Sequence, residues 1–77
     1  MKTLNKAFAT TLKSLRESAG LSQKQLSIRA GLDRTYVSLL ERGQRQPTIS
    51  TLYKLAAPLK VSVNEMVFRL DNQLGKK

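Results

Sequence analysis

Arg34, Thr35, Ser38, Leu39 and Arg42 fall at spacings that put them on one side of a helix. They lie within the stretch LDRTYVSLLERGQRQ, residues 32–46, where Asp33 and Glu41 are the only acids. Histidine and cysteine are absent from the whole chain, which removes the usual general base and the common metal ligands. The chemistry left to such a face is recognition. A guanidinium fork can grip the N7 and O6 of guanine, hydroxyls can donate or accept, and a leucine can meet a thymine methyl.

The chain around that face has 77 residues, enough for one domain and one modest core, so a deep enclosed active site is not expected. Its 14 Lys and Arg against 5 Asp and Glu give a formal charge of +9, a field that favours polyanions. Nucleic acid and anionic membrane are the two candidate partners. No enzymatic activity, cofactor, metal or small-molecule ligand is expected. No apolar run approaches the eighteen or so residues that span a bilayer, and the opening MKTLNKAFATTLKSLRES is interrupted by Lys6, Lys13 and Arg16, so it lacks a signal-peptide core. A soluble, cytoplasmic protein is the expectation. Taken alone, that basic amphipathic opening could also be a surface-seeking membrane helix.

Capping residues and glycines divide the chain into five short helices. Leu4, Phe8, Leu12, Leu15 and Ala19 recur at helical spacing before Gly20. Ser22 and Gln25 have the form of a capping box opening a second helix that ends at Ala30, before Gly31. Asp33 is placed to cap a third helix from Arg34 to Arg42, which Gly43 terminates. Thr48 or Ser50 begins a fourth, with Ile49, Leu52, Leu55, Ala56 and Leu59 on one face, and Pro58 should stop or bend it. Ser62 and Glu65 form another capping box, ahead of a stripe of Val63, Met66, Val67, Leu70 and Leu74 before Gly75 and a lysine tail. The start at Met1 and that tail favour a complete chain over a fragment of a larger regulator.

Two short helices across the three residues Gly31, Leu32 and Asp33, in a basic all-α domain, are the layout of a helix-turn-helix over about 22–42. On the third helix Val37 and Leu40 face the core, Tyr36 sits at their edge, and the five residues named at the outset face outward.

The stretch SQKQLSIRAGLDRTYVSLLERGQRQPTISTLYKLAAPLKVS resembles the lambda-repressor-like, Xre-type helix-turn-helix family, on Gln23, Ala30, Gly31, Val37, Glu41, Gly43 and the P-T-I-S-T-L start of the fourth helix. Within it, GLDRTYVSLLERG is similar to the controller proteins of restriction-modification systems. The resemblance implies a compact five-helix fold and roles for particular residues. Gln23 would meet a phosphate, a use of a helix N-terminus that its dipole also favours. Arg34, Thr35 and Ser38 would reach base edges, with Tyr36 at the DNA surface, and Arg42, Gln44 and Arg45 would face phosphates. Arg16 and Glu41 would form a largely buried ion pair. Leu39 departs from the polar residue common there. In the plainer alternative Tyr36 only roofs the core with its hydroxyl in water, and Arg42 and Arg45 are solvated.

These readings converge on a transcriptional regulator that binds a partly palindromic operator on double-stranded DNA as a homodimer, with RNA polymerase as a further candidate partner. The helix over about 62–74 is the expected dimerisation element, because Phe68 lies well over a quarter-turn from its apolar stripe. An antitoxin, or a phage or plasmid repressor of the same fold that also binds a protein partner, is the alternative.

Overall fold

The computed structural model describes residues 3–75, so Met1 and the lysines after Gly75 lie outside the described residues. The chain forms α1 (Leu4–Ser18), α2 (Gln23–Ala30), α3 (Arg34–Glu41), α4 (Ile49–Leu59) and α5 (Val63–Gln73). Hydroxyl caps start four of them. Thr3, Ser22, Thr48 and Ser62 each accept from the backbone N–H three residues on, at 3.0–3.2 Å, satisfying a donor that the first turn leaves without a helical partner. At Ser22 the box is complete, because its own N–H donates to Gln25 Oε1 at 2.9 Å.

Two expected caps differ. Asp33 occupies the N-cap of α3 but its side chain makes no capping hydrogen bond. Only half of the Ser62–Glu65 box forms, because Glu65 Oε2 accepts instead from Arg69 Nε at 2.7 Å, one turn along α5. The helix ends are uniform. After α1, α2, α3 and α4 one backbone N–H reaches back five residues and its predecessor three, the Schellman pattern, with Gly20, Gly31, Gly43 and Lys60 at the left-handed position. Lys60 (φ 61°) is the one described non-glycine residue there. It closes α4 two residues beyond Pro58, where the helix was expected to stop or bend.

The core gathers Phe8, Leu12 and Leu15 from α1, Leu26 and Ala30 from α2, Val37 and Leu40 from α3, Leu55, Ala56 and Leu59 from α4, and Met66 from α5. α3 is packed on α1 and α2, whereas α5 is packed on the outer sides of α1 and α4. That edge position explains why the α5 stripe is only partly covered: Met66 is buried, Leu70 and Leu74 are half-buried, and Val67 is exposed. Leu4 is likewise exposed, at the free start of α1. Ile49 does not join the buried face of α4, being 73% exposed. Thr51 takes the inward place in that first turn, beneath Tyr36, and Ile49 is left on the open side. No helix among the described residues is long and apolar enough to cross a membrane.

Candidate nucleic-acid interface

Residues 31–33 join α2 to α3 with no room for a longer loop, and Leu32 turns inward to pack against the core. The backbone N–H of Leu32 donates to Ser27 O at 2.9 Å, which fixes the angle at which α3 leaves α2. α3 is then anchored along its inner face by Val37 and Leu40, both fully buried. A buried inner face on a helix of two turns dictates what the outer face presents. Arg34, Thr35 and Arg42 are exposed, while Ser38 and Leu39 are half-buried. Leu39 is thus less open than an unsupported surface leucine.

Gln23, Arg34, Thr35, Ser38 and Arg42 line one open depression of about 340 Å³. It joins the N-terminus of α2 to the outer face of α3, and its walls hold two guanidinium groups, two hydroxyls and an amide. Tyr36, Leu39, Gln44 and Arg45 do not line it; Gln44 and Arg45 are exposed on the α3–α4 turn that follows.

Two interactions not foreseen in the sequence hold this face in place. Gln23 Nε2 donates to Glu41 Oε1 at 3.1 Å. The same carboxylate accepts from Arg16, Nε to Oε2 at 2.6 Å and Nη2 to Oε1 at 3.0 Å, while Arg16 Nη1 donates to Leu21 O at 2.8 Å. The expected Arg16–Glu41 pair is therefore present, with side chains only 12% and 3% exposed, and it extends to the glutamine at the mouth of the depression. The hydrogen bond to Glu41, ahead of the opposing effect of burial, raises the Arg16 guanidinium above its ordinary value.

The second interaction concerns Tyr36. Its hydroxyl lies 3.2 Å from Thr51 Oγ1, which is 3.0 Å from Thr48 Oγ1, the cap of α4. A phenol roofing the core therefore has a protein partner and is not left to water alone. Tyr36→Phe is expected to lower stability by about 1 kcal/mol, the net value of a partly buried hydrogen bond, in urea unfolding. Unchanged stability together with weakened DNA binding would mean that the hydroxyl serves the ligand instead.

A short helix set across the next one, whose buried inner face turns a guanidinium-rich outer face to solvent, defines a helix-turn-helix DNA-binding domain. The chain belongs to the Helix-turn-helix family, whose match covers residues 12–66. This is a family of DNA-binding transcriptional regulators and not of enzymes. The chain is 41% identical over 68 residues to an uncharacterized HTH-type transcriptional regulator of Sinorhizobium fredii, covering 88% of each. It is similar to the crystal structure of the restriction-modification controller protein C.AhdI from Aeromonas hydrophila, with 40% identity, TM-score 0.77, and coverage of 80% of this chain and 94% of that one. The controller protein C.Esp1396I, solved as a tetramer in complex with its natural 35 base-pair operator, is 30% identical with TM-score 0.86, covering 99% and 100%.

Proposed function

We propose that the chain is a cytoplasmic, single-domain regulator that binds a partly palindromic operator as a homodimer, in the manner of a restriction-modification controller protein. The observation that carries this reading is the single depression onto which Gln23, Arg34, Thr35, Ser38 and Arg42 open, supported from behind by the buried Val37 and Leu40. Arg34, Thr35 and Ser38 reach base edges in the major groove, with Leu39 and Tyr36 at the margin. Gln23, Arg42, Gln44 and Arg45 bind phosphates and set the register. One recognition helix makes too few contacts for tight selection, and two related by a dyad match half-sites about one helical turn apart. Transcription is repressed or activated according to where the operator lies relative to the promoter, RNA polymerase being the partner in the second case.

Selection of bound sites from a random duplex library tests this directly. Two related half-sites at fixed spacing are expected, and a bound pool that stays random would overturn the reading. On the selected site Arg34→Ala is expected to weaken binding by about 1 to 3 kcal/mol and to relax preference at one base position per half-site. Equal losses on selected and random duplexes would reduce Arg34 to a phosphate ligand.

A further inference from the structure

We infer that a second depression, between α1 and the end of α3, binds DNA phosphates adjoining those reached from the recognition face, an inference that rests on the DNA-binding reading above. This hollow, about 620 Å³, is walled by Lys6 and Lys13 of α1 and by Arg42. Arg42 lines both depressions, so the cationic surface runs without a break from Gln23 across α3 and onto α1. Lys6 is also packed on the turn that carries Gln44 and Arg45: a Cβ added to Gly43 would meet Lys6 Cδ at 3.1 Å. Its charge is thereby stationed beside the turn already expected to face phosphate. Thr10 and Ser14 add hydroxyl donors along the same wall.

Charge arithmetic favours an anion. Lys6, Lys13 and Arg42 oppose Glu17 and Glu41 in this hollow, and the Glu41 carboxylate is already held by Arg16 and Gln23. No salt bridge among the described residues engages Lys6, Lys13 or Arg42. Three ammonium and guanidinium groups gathered on the flank of a DNA-reading helix repel one another until polyanion charge is supplied. The spacing of Lys6, Thr10, Lys13 and Ser14 along one face of α1 was visible in the sequence, but which neighbour that face would meet was not.

The test is the salt dependence of binding by Lys6→Gln/Lys13→Gln, measured by fluorescence anisotropy on the selected operator and on a random duplex of equal length. The slope of log affinity against log salt is expected to become shallower by about two units on both duplexes, one for each phosphate no longer neutralised, with the operator-to-random ratio unchanged. Lys54→Gln/Lys60→Gln removes the same charge outside the hollow and should alter the slope by less than half as much. Thr10→Lys, which adds a cation to the hollow, should steepen it, and this gain of binding does not depend on the double variant folding as well as the parent. Equal slopes for the double variant and its matched control would overturn the inference. So would intact DNA binding combined with lost transcriptional output, which would give the hollow to an acidic protein partner. If the parent protein selects no operator, the regulator reading falls, while slopes on the random duplex still decide whether α1 meets phosphate.

Discussion

Glu41→Ala is expected to destabilise the protein by about 3 to 5 kcal/mol, the cost of leaving a buried charge without its partner. That is a large share of the roughly 5 to 15 kcal/mol that holds a small domain together. Truncation removes the acceptor for two Arg16 donors and for Gln23 Nε2, and leaves the guanidinium with only the Leu21 carbonyl. Arg16 cannot escape by losing its proton, because arginine ionises far above neutral pH and the Glu41 bond raises it further. A pKa raised on folding gives stability that is complete below the unfolded value and is lost only as pH climbs through the folded one. Through neutral pH the Arg16 contribution is therefore flat. The informative companion is Arg16→Met/Glu41→Leu, which removes both charges and should recover most of the loss, since apolar replacements of a buried pair are often neutral or stabilising. Urea unfolding of the parent and the two variants decides: a Glu41→Ala midpoint equal to the parent's would mean that water reaches Arg16 and relieves it.

Glu41 also marks the boundary of what was legible in the sequence. Helix limits were readable because they depend on neighbours in the chain: Ser22 with Gln25, Gly31 after Ala30, and Thr48 ahead of α4 are local chemistry. The outward set on α3 was readable because an eight-residue helix with two large buried residues has little freedom of rotation. The Arg16–Glu41 pair, 25 residues apart, became visible only through family resemblance. The Gln23–Glu41 bond, the Tyr36–Thr51 pairing and the cationic wall of Lys6 and Lys13 depend on how helices dock, which no local pattern specifies. Ile49 failed for the same reason. Helical periodicity put it with Leu52 and Ala56, but burial at the first turn of α4 is decided by where Tyr36 lies, and Tyr36 covers Thr51.

Phe68→Asp is expected to weaken self-association at least a hundredfold, on the order of 3 kcal/mol, if α5 joins two copies as proposed. Phe68 is 61% exposed and its neighbour Val67 is 41% exposed, an unusual placement for large apolar groups on a monomer's surface. Beside them Leu4, Val67 and Leu70 edge an apolar groove of about 230 Å³ floored by Phe8 and Met66, so a second copy laid on α5 would cover both features. An aspartate at this position has Glu65 and Asp71 as its neighbours at three residues' distance, so it gains no intrachain partner and enters the interface with its charge uncompensated. The domain itself should stay folded, because Phe68 belongs to no part of the buried core. Operator binding should become weak and insensitive to half-site spacing, since dyad-related recognition helices are no longer tethered. α4 offers a rival surface, where Ile49 and Tyr53 lie one turn apart and are 73% and 66% exposed. Sedimentation equilibrium separates the two: a folded Phe68→Asp variant that remains dimeric while Tyr53→Asp dissociates would move the interface from α5 to α4.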